Sequence, residues 1–497
     1  MQKKINASKN MIQLPLMILI SVITQFLLIM KSSYTAAQFG ASEQMDAYNF
    51  ANNVTSFLFS FIGSGVTTVI IPAYVNKKKK EDVDTFITII YAVVFSITGL
   101  LFLLRRPLVE IMTSRGTAFE NTVCEVMLAT IIIQSVTAIL AITTAYYQCE
   151  NKYNIPKLIV LMCNMLVVTS LYVFGELSIY QYLMVLVSGA LLNLILDLGI
   201  AVKQGFRYKP TFEFGSVGVK EMILLFIPCM FSTGVYKVHS FVDTLIASNL
   251  GEGQLTVLSY ANMIVGLVNT LIISNLTVYA YPKIVAKVSG NVEESQKAIW
   301  KYSTFFHATV CMLITLYMCV GKECISVLFL HGKFDAQSAM LTYICCGIYI
   351  FGQQNNIVRD LVYRYFFARG DTKTTFKNSV FISVCNIVLS LVMVVFIGIY
   401  GIIIGTFISG AISLVLIIFK LNKKERLAGS FKPFCVEFLK NNVVMFGTTI
   451  AVVLLKTKFY FNYDIINIMV YGIITAVLFI VVLFLARSKV LNRSYLS

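Results

Sequence analysis

Several charged and amide side chains lie inside long apolar runs of this chain: Lys31, Asp46, Asn52, Asn53, Lys237, His239, Asp243, Arg359 and Asp360. Burying such groups costs free energy unless they face a polar path or a partner, so within a membrane they mark where a polar cargo or an ion passes. Lys31 closes the first apolar run and Asp46 opens the second, with Asn52 and Asn53 one to two turns deeper. The seventh run holds Lys237 and Asp243, six residues apart and therefore on different helix faces. The tenth carries Gln353-Gln354-Asn355-Asn356 before Arg359. Glu125, Gln134, Asn193 and Asp197 add polarity to the fourth and sixth. For Lys31 and Asp46 the alternative is an interfacial position, with the side chains snorkelling into water.

The elements that carry these groups follow from composition. Of 497 residues 58% are hydrophobic and 13% charged, and the mean hydropathy is +0.79. A soluble domain cannot cover so much apolar surface with so few charges. Apolar runs of about twenty residues recur along the whole length, each long enough to span a bilayer as helix. They do not alternate as barrel strands do. The expectation is an all-α polytopic membrane protein of about fourteen spans. The first is read at 11–31, the second at 46–75 with Pro72 ending it, the eighth at 257–285, and the eleventh and twelfth at 379–398 and 400–420.

The chain is also internally duplicated. Residues 39–72 reappear at 250–282, with Gly40 answering to Gly251, Phe50-Ala51-Asn52 to Tyr260-Ala261-Asn262, and Pro72 to Pro282. Gly116 and Gly332 then close matching segments, and Cys163-Asn164 recurs as Cys385-Asn386. Duplicated helical units are a common transporter architecture. The expected division is an N-lobe at 1–210, a C-lobe at 211–430 and a final helix pair at 431–497.

Net charge is +16, and most of the 40 lysines and arginines cluster in alternate loops, such as 77–80, 203–209 and 420–432. By the positive-inside bias both termini face the cytoplasm. The Lys77–Lys80 run reads as a solvated anchor, so no nucleic-acid partner is expected. The eleven cysteines lie mostly in apolar spans without paired spacing, and the three histidines are scattered. Neither a disulfide framework nor a metal centre is indicated. With short loops and no phosphate-binding motif, the chain reads as a transporter and not an enzyme, driven by an ion gradient, membrane potential or the cargo's own gradient.

FGAS…DAY at 39–48, VDTLIAS at 242–248, YAN at 260–262 and above all FFARGDTKT at 366–374 resemble the lipid II flippase family (MurJ/MviN). That family belongs to the multidrug/oligosaccharidyl-lipid/polysaccharide exporter superfamily. The resemblance implies two six-helix lobes around a central cavity, a C-terminal helix pair for the lipid tail, and alternating access. The implied cargo is an undecaprenyl-pyrophosphate-linked glycan. No organic cofactor is expected, the implied partners are that lipid-linked oligosaccharide and membrane lipids, and a monomer in the bacterial cytoplasmic membrane is expected.

The departures bear on the cargo. Gln25, Phe59 and Met263 stand where many members carry arginine, Ser64 replaces a glutamate, and Asn262 replaces an aspartate. Lys31 keeps a charge at a second basic position of the family. Lys31, Asp46, Asn52, Asn53, Lys237 and Arg359 are the candidate cargo-binding residues. With less positive charge than the family pattern, units of surface polysaccharide are as plausible a cargo as lipid II. The resemblance also implies a sodium site formed by Asp243, Asn386 and Thr406, with Ser390 in place of a second aspartate. Oxygen ligands suit a hard cation, and sodium or a proton is the candidate coupling ion. Structural hydrogen bonding by Asn386 and Thr406 is the alternative. A cation-coupled exporter of amphipathic drugs is the second transport reading. An integral-membrane glycosyltransferase or polymerase would need catalytic carboxylates on an external loop larger than any here.

Overall fold

The structure is a computed structural model of the full chain. It describes the backbone of residues 2–75, 78–273 and 292–491, and side chains from residue 16 onward save a few positions, 231–236 chief among them. Among the described residues there are fourteen α-helices and no strand. Helices suit the bilayer because each satisfies its own backbone hydrogen bonds. They are α1 Gln2–Phe39, α2 Glu43–Val75, α3 Lys80–Met112, α4 Thr117–Cys149, α5 Asn154–Phe174, α6 Ile179–Lys203, α7 Val217–Ser248 and α8 Gln254–Val268. Then follow α9 Val292–Phe329, α10 Ala336–Ala368, α11 Thr372–Ile397, α12 Ile399–Glu425, α13 Phe431–Lys458 and α14 Asp464–Leu485. Twelve are long and apolar enough to cross a membrane; the other two are α7 and α10. The molecule is thus a multi-pass membrane protein.

Three points differ from the sequence expectation. α1 runs eight residues past Lys31 to Phe39, because one lysine in an otherwise apolar helix does not break its backbone ladder. α2 ends at Val75 as its expected span does, but Pro72 falls inside it and does not end it. α8 passes into a π-helical turn at Asn269–Ile273, and Pro282, the second copy of Pro72, lies outside the described residues.

Contacts divide the chain into two compact units, 1–256 and 257–497. In the first, α2 packs against α4 and α7, α3 against α4, α4 against α6, and α1 against α5. In the second, α9 packs against α10, α13 and α14, and α12 against α10 and α11. The duplicated glycines both take a left-handed turn conformation that other residues avoid. Gly40 and Gly251 both have positive φ, at 64° and 125°, a region glycine enters without steric cost. The aromatic pairs repeat too: Phe50 meets Phe119 edge-on at 6.3 Å in the first unit, and Tyr260 meets Phe334 at 5.6 Å in the second.

α11 and α12 form a tight hairpin turned at Gly398. A Cβ on Gly401 would stand 2.4 Å from the Met393 carbonyl carbon, and one on Gly405 would stand 2.9 Å from the Ser390 nitrogen. Small residues here let two helix backbones approach closely. α13 is fastened to α9 by an ion pair and a ring stack. Lys456 of α13 pairs with buried Glu323 at 2.6 Å, and Phe438 stacks on buried His307 at 3.9 Å.

Candidate functional site

The densest polar constellation of the first unit sits where three turns meet: 40–42, 113–116 and 249–253. Its centre is Asp46, whose side chain is fully buried. One carboxylate oxygen, Oδ1, accepts from the Thr256 backbone N–H at 2.9 Å and from its hydroxyl at 2.7 Å. The other, Oδ2, accepts from the Gly253 N–H at 2.7 Å and from Arg115 Nη1 at 2.8 Å. An isolated buried carboxylate is costly, and four donors, one of them cationic, offset that cost. Gly253, just before α8, and Thr256, in its first turn, supply N–H groups that no helical carbonyl can satisfy. Asp46 thus caps α8 as an N-cap residue would, but from another helix. The close approach requires Gly253, since a Cβ there would lie 2.6 Å from the Ala41 carbonyl oxygen.

The same face of α2 continues the seam. Asp46, Asn49, Asn53 and Phe57 follow at spacings of three and four residues, so they line one stripe. Asn49 donates to the Thr256 hydroxyl at 3.3 Å, Asn53 donates to the Thr244 hydroxyl of α7 at 3.3 Å, and Phe57 stacks on Phe241 with centroids 4.3 Å apart. Asn52, one position round the helix, accepts from Gln134 of α4 at 3.0 Å. At the turns themselves, Asn249 Oδ1 accepts from the Ser114 backbone N–H at 2.9 Å and from its hydroxyl at 3.0 Å. Arg115 also lies over the Phe119 ring, 4.3 Å from its centroid. These bonds are directional and few. They join α2 to α7 and to the start of α8, beside the apolar stack of Phe57 on Phe241.

Other candidates stand apart from this seam. Lys31 is half-buried in α1, and Lys237 is exposed on α7; the cation that meets Asp46 is Arg115, which lies in a turn. Arg359 of α10 pairs with Asp360 at 2.9 Å and lies 5.7 Å from the Tyr363 ring centroid. Asp243 of α7 is buried in the first unit. In the second unit Asn386, Ser390 and Thr406 come together across the α11–α12 hairpin. Asn386 donates to the Thr406 hydroxyl at 3.0 Å and to the Ser409 hydroxyl at 3.3 Å. Ser390 is fully buried and donates to the Ile402 carbonyl at 3.4 Å. The carbonyl oxygen of the Asn386 side chain is buried with no hydrogen-bond donor among the described residues. An amide and hydroxyls so placed supply the neutral oxygens a sodium ion takes, and the arrangement equally knits two helices together.

The FFARGDTKT stretch is a clasp at the joint of α10 and α11. Gly370 makes the turn with φ +74°. Asp371 caps α11, accepting from the Thr374 N–H at 3.1 Å and its hydroxyl at 2.8 Å, and also pairs with Lys424 of α12. Burial works against the ionised Asp371 carboxyl, but the Lys424 and Thr374 hydrogen bonds outweigh it and hold its pKa below the ordinary value. Arg369 reaches Glu425 at 3.4 Å, and Tyr365 donates to the same carboxylate.

Sequence reasoning missed Arg115, Gly253, Thr256 and Asn249, because each lies in or beside a turn, where polar residues are unremarked. The signal available was charge complementarity: Asp46, near the start of an apolar run, needs a cation, and Arg115 opens the matching run of the next hairpin.

An all-helical membrane protein with polar seams between its spans has the make-up of a transporter, and comparison places it in a family. The family model for lipid II flippase MurJ matches residues 35–475. A probable lipid II flippase MurJ from Thermotoga maritima is 24% identical over 461 residues, covering 89% of this chain and 90% of that protein. Another from Synechocystis sp. is 23% identical over 430 residues, covering 81% and 79%. Among solved structures, a lipid II flippase MurJ in an inward closed conformation superposes with a TM-score of 0.78 at 19% identity, covering 95% of this chain and 99% of that one. An inward-facing MATE multidrug resistance transporter of the MOP superfamily gives 0.66 at 13% identity, covering 83% and 95%. The chain belongs to the MurJ family of lipid II flippases, which are membrane transporters and not enzymes.

Proposed function

We propose that this protein flips a polyprenyl-pyrophosphate-linked glycan, lipid II or a surface-polysaccharide unit, from the inner to the outer leaflet of the bacterial cytoplasmic membrane by alternating access. The observation that carries this reading is the family match over residues 35–475. The fold likeness to a MATE transporter is what a cation-coupled multidrug exporter would also show, but it extends over less of the chain. In the proposed orientation both termini are cytoplasmic, the protein acts as a monomer, and repeat-based lobes at 1–210 and 211–430 are followed by the helix pair 431–497.

Alternating access requires one side of the path to be sealed while the other is open. In this reading the turns at 40–42, 113–116 and 249–253 are external, and the Asp46 seam is the external seal. Opening breaks four hydrogen bonds to one carboxylate. Water can replace those bonds on the outside, so the step costs less than parting an apolar interface. Lys31 in the first unit and Arg359 in the second are the candidate charges for the headgroup, Lys237, Asn52 and Asn53 the candidate polar contacts, and Asp243 in the first unit and Asn386, Ser390 and Thr406 in the second the candidate residues for the coupling sodium ion or proton. Depleting the protein tests the reading: a lipid-linked glycan should accumulate with its headgroup on the cytoplasmic side. No accumulation of lipid II or of any other polyprenyl-linked glycan would count against it.

A further inference from the structure

Lys420 lies within α12, five residues before its end at Glu425, in one of the helices apolar enough to span the membrane. A lysine there normally snorkels toward water. This one is held inward instead: its Nζ donates to Asn378 Oδ1 of α11 at 2.9 Å. Asn378 is fully buried and committed on all sides. Its amide donates to the Tyr363 hydroxyl of α10 at 2.9 Å and to the Ser413 hydroxyl of α12 at 3.0 Å. The Tyr363 hydroxyl also accepts from Ser379 at 3.4 Å. Three helices thus fix one ammonium, and two of its three N–H donors remain beyond that bond.

Lys377 precedes Asn378 by one residue and lies within electrostatic range of Lys420. It sits five residues from the start of α11 at Thr372. The two lysines therefore stand at equal height on antiparallel neighbours, about 7 Å inside the helix ends. The ion pairs at this end of the unit join Arg369 to Glu425 and Lys424 to Asp371, and leave Lys420 and Lys377 outside them. Arg359, paired with Asp360, stacks near the Tyr363 ring on the third side. Two like charges placed together at membrane depth are unfavourable unless an anion joins them.

We propose that Lys420 and Lys377, positioned by Asn378 and Tyr363, form a docking site for a lipid-borne pyrophosphate at the cytoplasmic ends of α11 and α12. This inference rests on the flippase reading and names where its cargo is first held. Two cations at one depth match the doubled charge of a pyrophosphate better than the single charge of a phosphodiester. Lysines meet the pyrophosphate as point charges without the bidentate grip of arginine, which suits a site that must hand its ligand on.

The test is binding of undecaprenyl pyrophosphate to the full-length protein in phosphatidylcholine nanodiscs. Lys420→Gln should weaken binding roughly tenfold, the effect of one lost charged hydrogen bond, and Lys377→Gln severalfold. Lys420→Arg should retain most of the affinity. Asn378→Leu, which removes no charge, should also weaken binding. Lys377 is exposed, so its variant reports even where a buried one fails to fold. Wild-type affinity in both lysine variants would overturn the site, as would displacement by phosphatidylglycerol as effective as by unlabelled undecaprenyl pyrophosphate. A wild-type protein that binds no undecaprenyl pyrophosphate would instead overturn the flippase reading itself.

Discussion

Arg115 Nη1 stands 2.8 Å from Asp46 Oδ2, an ion pair in which the carboxylate is fully buried and the guanidinium side chain is 11% exposed. The two residues lie 69 positions apart, one in the first turn of α2 and one in the turn between α3 and α4. Their pairing turns the start of α8 into the third member of a closed junction, because the same carboxylate oxygen also takes the Gly253 N–H.

Removing one partner of such a pair leaves the other buried without compensation, at a cost of about 3–5 kcal/mol. Arg115→Ala should therefore loosen the junction, and Asp46→Asn should impair the transport cycle while keeping the shape of the side chain. Asn49→Cys, placed on the seam, reports the change. It should react faster with a membrane-impermeant maleimide in the Arg115→Ala background than alone. Equal rates would mean that the ion pair does not hold the seam shut.

Coupling can be tested at Asp243 of the first unit and, separately, at the α11–α12 cluster of the second. Asp243→Asn should weaken the sodium or proton dependence of transport in a protein that still inserts normally. Ser390→Asp places a carboxylate beside Asn386 and Thr406, and sodium should then bind more tightly, read as a lower half-saturating concentration. If neither variant changes ion dependence, Asn386 and Thr406 serve only to join α11 to α12.

The Asp371 clasp predicts an acid-sensitive step in stability. Its carboxyl titrates below the ordinary value in the folded protein, so its contribution is complete above about pH 4, the unfolded carboxylate value. It is lost as pH falls through the lower folded value. Asp371→Ala should lower stability by about 1 kcal/mol through loss of the α11 cap and flatten the dependence of the melting temperature on pH below 4. An unchanged acid limb would assign it to other carboxylates.

Topology gives a separate check. Single cysteines at 369–373 and 77–80 should be shielded from external thiol reagents, whereas cysteines at 458–464 should react. External labelling at 369–373 would reverse the orientation and move the Lys420 site to the opposite leaflet.

Much of the fold was legible in the sequence because a bilayer imposes long apolar runs, and because the duplication repeats glycines that both take positive φ. Gly40 and Gly251 show this directly. What resisted reading was whatever depends on partners distant in sequence. Asp46, Asn52 and Asn53 stood out as polar groups in apolar runs, but their partners Arg115, Gln134 and Thr244 come from three other elements. Lys420 was hidden in a different way. It adjoins the charged segment after α12 and counted only toward the charge bias that sets orientation, until its bond to Asn378 set it apart. Lys31 misled by its charge, which suggested the end of a helix that continues to Phe39.

Lys31 bears on how the headgroup crosses. A pyrophosphate leaving water must keep its charge matched, since an unpaired ion in a low-dielectric path is expensive. A site at the helix ends, such as that of Lys420 and Lys377, can capture the headgroup but cannot accompany it. Lys31 is half-buried within α1, more than two turns from the helix end. It is the candidate to meet the pyrophosphate along the path. Lys31→Ala should then abolish flipping with normal membrane insertion, while binding of undecaprenyl pyrophosphate in nanodiscs falls only severalfold. Lys31→Arg should restore part of the flux, because charge is kept but a bidentate guanidinium releases phosphate more slowly. Full flux in Lys31→Ala, measured as the rate at which the lipid-linked glycan becomes accessible outside, would reduce Lys31 to an interfacial anchor.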